Sequence, residues 1–253
     1  MPPSNKRKGF GKGKRKFPLP FLFVEAVRLF LGRYFDRVFK PRRIDRFIAH
    51  GAKTVHMNPF GSILVDWQIR DAVRLKTLEI EPFEPMNVGP NSYDITLDGD
   101  FVRFEYVSCK YGLYDLFEPY DPIHRDDKYF NKTTTDVYHI YPQQVILGST
   151  VEYFKIKPGF VAFVHGRSSW ARLGLQIHAA GLLDSGWEGN ITLEIVNFAP
   201  FPILLRKGDK IGQVTFHPVE RCETPYNARR KSKYDKQTGA TASRIEIDYG
   251  KED

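Results

Sequence analysis

The sequence has only two cysteines in 253 residues, Cys109 and Cys222, and they stand far apart. No histidines have the H-E-x-x-H spacing, so the residues of a Cys or His zinc site are missing and no disulfide is expected. Uncharged apolar runs of eighteen residues are also absent, which excludes a membrane-spanning helix. The N-terminus lacks a signal peptide's apolar segment, so we expect a cytoplasmic protein whose N-x-T patterns at Asn131 and Asn190 are idle.

Acidic residues are scarce at the N-terminus but not elsewhere. The net charge is +8, yet the first 50 residues hold 14 Lys and Arg against 3 acidic residues, which leaves 24 basic and 27 acidic residues for the remainder. The body of the protein is therefore mildly acidic. This distribution argues against a basic nucleic-acid-binding face on the main domain.

The basic segment has two parts, which together predict an extension over residues 1–55. The stretch KRKGFGKGKRK has almost nothing to bury and is expected to be disordered. From Phe21 to about Phe39 the apolar residues recur at helical spacing, which predicts an amphipathic helix. This helix could pack on the domain or on a neighbouring subunit. Alternatives are a helix on a membrane surface, a tether for nucleic acid, or an organelle-targeting segment.

Beyond residue 60 the patterns predict a short helix followed by many strands. Asp66 can cap a helix through about Leu78, and a Pro, Gly and Asn rich turn precedes a strand around Ile95 to Phe104. Residues 106–135 are poorly periodic. Apolar runs separated by turn residues then predict a barrel-like or jelly-roll β domain: VYHIY, QQVILG, VEYFKI, FVAFVHG, ITLEIVN, FPILL and IGQVTFHPV.

The segment GRSSWARLGL predicts a helix of barely more than one turn that ends at Gly174. Ser168 or Ser169 can cap it. Ser168 and Arg172 are four residues apart and lie on one face, where a hydroxyl and a guanidinium could hold the same small polar target. Arg167 points elsewhere and suits a phosphate or a carboxylate.

The segment ITLEIVN alternates, so that Ile191, Leu193 and Ile195 face one side and Glu194 faces the other. Glutamate is a poor strand residue. A partly desolvated carboxyl at this position could both accept and donate a proton near neutrality. The alternative is that Glu194 lies on a wetted face or pairs with an arginine.

Taken together, these motifs resemble those of the dCTP deaminases, which are nucleotide-specific members of the trimeric dUTPase-like superfamily. The resemblance covers roughly 190 residues, and its segments are SILVDWQIRDAVRLKTLEIEPFEPMNVGPNSYDITLDGDF, GRSSWARLGL, DSGWEG, LEIVN, LLRKGDKIGQVTF and PYNARRKSKYDKQTGATASR. It implies a mainly β fold of the dUTPase-like, β-clip type, a distorted jelly-roll or barrel with a few short helices. The predicted domain spans 56–253, with a mobile tail from about residue 222.

The resemblance also implies roles for individual residues. Glu194 would be the general base and acid, while Ser168 and Arg172 position the attacking water and the amino edge of cytosine. Asp184 would hold the deoxyribose hydroxyl. Further residues would contact the base, the sugar or the phosphates: Ala180 through its backbone, Arg167, Tyr226, Lys233 and Gln237.

The implied reaction is hydrolytic deamination of dCTP to dUTP and ammonia without zinc, by a homotrimer whose sites are shared between subunits. Mg²⁺ is expected on the triphosphate, and dTTP is a candidate feedback ligand. One alternative is a bifunctional enzyme that releases dUMP and pyrophosphate, or a dUTPase, in which Asp184 acts on a water. The segment between His178 and Asp184 is one residue shorter than in the family, which keeps this alternative open. A further alternative is a non-catalytic nucleotide-binding protein.

Overall fold

The computed structural model describes residues 63–105, 121–122, 127–178, 181–229 and 232–250. The predicted extension over 1–55 and Cys109 lie outside these residues. Cys222 is an exposed, unbridged thiol. Among the described residues, no helix has the length and apolarity needed to cross a membrane.

The described chain is mainly β, with two α-helices and several short 3₁₀ turns. The helices are α1 (Asp66–Arg74) and α2 (Ser168–Ala171). The strands are β1 Leu78–Glu81, β2 Tyr93–Phe104, β3 Phe130–Thr134, β4 Val137–Ile140, β5 Val145–Ile156, β6 Phe160–Gly166, β7 Leu175–His178, β8 Leu182–Leu183, β9 Glu188–Asn197, β10 Ile203–Arg206 and β11 Lys210–Pro218.

Within the described residues, nine strands form one antiparallel sheet in the order β7-β9-β5-β2-β11-β6-β8, with β1 paired to β5 and β3 to β2. Strands β4 and β10 form a separate pair. The large sheet curls, because β7 comes close to the end of β6: a Cβ placed on Gly166 would lie 3.8 Å from the Cβ of Ile177. The predicted fold class, mainly β with a distorted barrel and few helices, is confirmed.

The core follows largely from alternation of buried and outward-facing residues along the strands. On β9, Ile191, Leu193 and Ile195 are all buried, as their spacing predicted, while the residues between them face outward. The large aromatic side chains Phe101 and Phe154 fill the space inside the curled sheet. Burial of these side chains removes a large apolar area from water, which is the main source of the fold's stability.

Several boundary predictions are wrong. The N-cap of helix α1 is Val65 and not Asp66, which is the first helical residue. Helix α1 ends at Arg74 and not near Leu78, because Leu78 already begins β1.

The run VEYFKI and the last four residues of the run QQVILG belong to the single strand β5, and a β-bulge is found where a turn was predicted. The Thr150 hydroxyl holds this bulge: its Oγ1 donates to the Glu152 carbonyl (2.7 Å) and accepts from the Ile191 N–H (2.9 Å).

Gly174 joins α2 to β7 in a conformation that favours glycine. Its φ is +89°, and a Cβ there would lie 2.8 Å from the Ala199 backbone nitrogen. We expect Gly174→Ala to lower the free energy of unfolding by about 3 kcal/mol, measured by urea denaturation, since it adds a clash with backbone to left-handed strain. Gly208→Ala is the matched control: φ is +93° with nothing within 4 Å, so its loss should be about 1 kcal/mol. Equal losses of unfolding free energy in the two variants would show that the clash at Gly174 does not contribute.

Candidate active site

Helix α2 is a single turn that begins directly after β6. Its N-cap is Arg167, whose carbonyl accepts hydrogen bonds from the N–H groups of Trp170 and Ala171, each at 3.1 Å. The predicted cap by Ser168 or Ser169 is therefore wrong, and both serines are exposed. The reason is that Arg167, which follows β6 in an extended conformation, occupies the N-cap position, so both serines are helical residues. Their hydroxyl groups consequently face outward at the start of the turn.

A cavity of about 480 Å³ opens beside this turn. Its walls come from the end of β6, from α2, from β7 and from the outward faces of β2 and β11, and its lining residues are Asp94, Gly166, Arg167, Ser168, Ser169, Ala171, Leu175, Gln176, Ile177 and Gln213. Two of the predicted site residues, Arg167 and Ser168, thus share one cavity. Arg172 follows one turn later, with its N–H donating to the Ser168 carbonyl at 3.0 Å and its side chain exposed.

The guanidinium of Arg167 is held by an acidic residue that the sequence analysis missed. Arg167 Nη2 lies 3.5 Å from Asp94 Oδ2, and Arg167 Nη1 donates to the Lys210 carbonyl at 3.4 Å. The indole N–H of Trp170 donates to the same carbonyl at 2.9 Å. These contacts fix the direction of the guanidinium at the cavity wall, where it can meet an anionic ligand.

Glu194 lies on β9 among outward-facing residues and is partly buried. Its carboxylate oxygen Oε2 is shielded from solvent. Its backbone is in register with Leu147 of β5 on one side and with His178 of β7 on the other. Glu194 is not among the residues that line the cavity beside Ser168. Of the three predicted catalytic residues, only Ser168 is among the described residues that line this cavity.

Apart from Arg167, the predicted sugar and phosphate residues lie in a different region, where the chain after residue 225 packs back on the domain. The Tyr226 N–H donates to the Ser185 carbonyl at 2.8 Å, and the Tyr226 hydroxyl accepts from the Tyr234 N–H at 3.1 Å. Burial raises the pKa of the Tyr226 phenol, and the nearby negative charge of Asp184 adds to the rise. Asp184 and Tyr226 are therefore neighbours.

The other two predicted residues of this segment are held by contacts within the chain. Lys233 Nζ lies 2.6 Å from Asp248 Oδ2, and this hydrogen bond raises the pKa of the lysine ammonium. The Gln237 side-chain amide donates to the Asn190 carbonyl at 2.8 Å. Ala180 lies outside the described residues.

Comparison with known proteins identifies the family. The model of the dCTP deaminase-like family matches residues 63–219. The chain belongs to the dCTP deaminase-like family. A relative from Methanosphaerula palustris named "dCTP deaminase, dUMP-forming" is 39% identical over 183 residues, which cover 72% of this chain and 95% of the relative. A relative from Natronomonas pharaonis named "dCTP deaminase" is 38% identical and covers 74% and 96%.

Among solved structures of this family, the chain is similar to the crystal structure of 2'-deoxycytidine 5'-triphosphate deaminase from Agrobacterium tumefaciens. The TM-score is 0.48 at 20% sequence identity, and the match covers 62% of this chain and 48% of the other. The predicted membership of the dCTP deaminase family is confirmed by the match of the family model and by the identity to the named relatives.

Proposed function

We propose that this protein is a hydrolase that deaminates dCTP, with Glu194 as the group that moves the protons. The observation that carries the proposal is the position of Glu194: a partly buried carboxylate on β9, a strand paired on both sides, with one carboxylate oxygen shielded from solvent. Membership of the dCTP deaminase-like family and the printed names of the relatives support the same substrate.

The proposed chemistry needs one acid–base group and two positioning groups. As water adds to the amino-bearing carbon of cytosine, the Glu194 carboxylate takes one of its protons and passes it to the adjacent ring nitrogen. The carboxylate then takes the remaining proton from the new hydroxyl group and gives it to the amino group, which leaves as ammonia while the carbonyl of uracil forms. The Arg172 guanidinium stabilises hydroxide-like character in the water, and the Ser168 hydroxyl orients it by donating or accepting a hydrogen bond.

The proposal includes a homotrimer whose sites are shared between subunits, as the resemblance to the dCTP deaminases implies. Ser168 faces the cavity beside α2, whereas Glu194 does not line that cavity. In a closed threefold arrangement, every contact pairs two different surfaces of the subunit. We propose that these surfaces are the one that carries the α2 turn and the one that carries Glu194 of β9. Each trimer would then contain three equivalent sites.

The triphosphate would be held by cationic groups and by Mg²⁺ that arrives with the nucleotide. Arg167 and Lys233 provide fixed positive charges that suit phosphate oxygens. Mg²⁺ prefers phosphate oxygens and water to a cage made only of protein groups. When bound, the ion would neutralise triphosphate charge, while Asp184 would orient the deoxyribose hydroxyl.

A second candidate is an enzyme that deaminates dCTP and then cleaves the product to dUMP and pyrophosphate. The names of several relatives favour it, including those from Methanosphaerula palustris and Sulfurihydrogenibium, both called dUMP-forming. The position of Asp184 also favours it, because a carboxylate beside the nucleotide-binding segment could activate a second water.

The test follows the two products separately. Purified protein is incubated with Mg²⁺ and either dCTP or dUTP, and ammonia, dUTP and pyrophosphate are measured over time. Ammonia with accumulating dUTP supports the simple deaminase, and ammonia with an equal amount of pyrophosphate supports the bifunctional enzyme. Pyrophosphate from dUTP but no ammonia from dCTP would identify a dUTPase. Nucleotide binding without either product would support a non-catalytic role.

A further inference from the structure

The first residues of β9 hold the C-terminal segment in place, and Asn190 makes most of the contacts. Its backbone N–H donates to the Gln237 carbonyl at 3.0 Å, and its carbonyl accepts from Gln237 Nε2 at 2.8 Å. Its side-chain oxygen accepts from the Gly239 N–H at 3.4 Å. Asn190 Nδ2 donates to the carbonyls of Thr150 and Glu152, both at 3.1 Å, at the β5 bulge. Asn190 thus links the bulge to the tail.

Thr192, two residues further along β9, continues the same contact. Its hydroxyl oxygen accepts a hydrogen bond from the Thr241 N–H at 3.2 Å. Between these two anchors the tail buries Ala240 against Leu147 and Val102 on the outward face of the sheet. The segment 237–242 therefore runs beside β9 and covers part of its neighbouring strands.

The same strand face carries Glu194. Asn190, Thr192 and Glu194 alternate along β9 and all face outward. Leu147, which contacts the tail residue Ala240, is also in register with Glu194. A tail that docks at Asn190 and Thr192 is therefore placed against the strand that bears the proposed proton shuttle. This tail contains Lys233 and Gln237, two of the proposed nucleotide ligands.

We infer that Asn190 and Thr192 form a tail clasp, a pair of positioning residues that dock the C-terminal segment and thereby set the geometry of its nucleotide ligands. Asn190 and Thr192 are the first and last residues of the N-I-T pattern at 190–192. The link to catalysis rests on the proposed function, whereas the docking itself does not. Neither residue takes part in the chemical step.

The experiment uses the full chain and two substitutions on opposite sides of the contact. Thr192→Val keeps the shape of the side chain but removes the acceptor for the Thr241 N–H. Gly239→Ala acts from the tail: the glycine has φ +63°, and a Cβ there would lie 2.7 Å from Asp100 Oδ2. Thr192→Ser, which retains the hydroxyl, is the conservative control.

Two quantities are measured: the hydrogen–deuterium exchange rate of the Thr241 amide, and KM and kcat for dCTP. We expect both disruptive variants to speed this exchange by about tenfold or more and to raise KM by about fivefold, with kcat much less affected. KM should change more than kcat because the tail would contact parts of the nucleotide that do not react. Thr192→Ser should restore both values.

Unchanged exchange in both disruptive variants would overturn the tail clasp. Faster exchange with an unchanged KM would overturn its role in nucleotide binding. If the unmodified protein releases no ammonia from dCTP, the proposed function fails by itself, and the exchange rates still decide whether Asn190 and Thr192 dock the tail.

Discussion

Replacing Glu194 by glutamine is expected to lower kcat for dCTP by about 10³-fold, while the Kd of dCTP changes by less than about threefold. Glutamine preserves the shape of the side chain and its ability to accept a hydrogen bond, but it cannot take a proton from water and return it to the leaving amine. The loss should therefore fall on the chemical step. Ammonia release measures kcat, and calorimetric titration with dCTP measures Kd.

A glutamate on the same strand provides the matched control. Glu188 begins β9 and pairs with Lys155, its Oε2 lying 2.8 Å from the lysine Nζ. Glu188→Gln makes the same chemical change away from the proposed chemistry, so kcat should stay close to that of the unmodified protein. If Glu194→Gln turned over dCTP as fast as Glu188→Gln, Glu194 would have no part in proton transfer.

The features that the sequence predicted correctly are local ones. The alternation of Ile191, Leu193 and Ile195 requires only that a strand has one buried face, and this made both the strand and the outward direction of Glu194 predictable. The single turn of α2 was predicted from a short helical stretch; the helix ends at Ala171, three residues before the predicted end, and a turn continues to Gly174, whose φ is positive.

The errors and omissions come from long-range contacts. The bulge in β5 depends on the Thr150 hydroxyl meeting β9 some forty residues later. Asp94 reaches Arg167 because β2 pairs with β11, which in turn pairs with β6, and no local pattern encodes that register. The role of Asn190 needs a tail that follows it by nearly fifty residues.

The order of residues along β9 relates these long-range contacts to the proposed function. One strand carries Asn190 and Thr192 at the tail, then Glu194, and pairs with β7 beside the cavity. Ordering of the tail at one end of a rigid strand therefore occurs within a few residues of the proposed proton shuttle. Because the tail and Glu194 are both positioned by β9, a nucleotide bound by the tail would be held in a fixed orientation relative to the Glu194 carboxylate.

Mixing two inactive variants is expected to restore activity. Arg172→Ala removes one half of the proposed site and Glu194→Gln removes the other half, so each homotrimer alone should be nearly inactive. In the proposed trimer each site would take its glutamate from one subunit and its α2 turn from the next, so about a quarter of the sites in a random equimolar mixture should contain both intact halves. Ammonia release after unfolding and refolding the mixture should therefore approach about a quarter of the rate of the unmodified protein.

The control for this experiment mixes Ser168→Ala with Arg172→Ala. Both changes affect the same half of the site, since Ser168 and Arg172 belong to one helical turn and are linked through the Ser168 carbonyl. Every site in that mixture keeps a defect, so no activity should return. Affinity tags of two kinds on the variants establish that subunits have exchanged. Exchange without recovery in the first mixture would show that each chain builds its site alone, because only sites shared between subunits can be repaired by a neighbour.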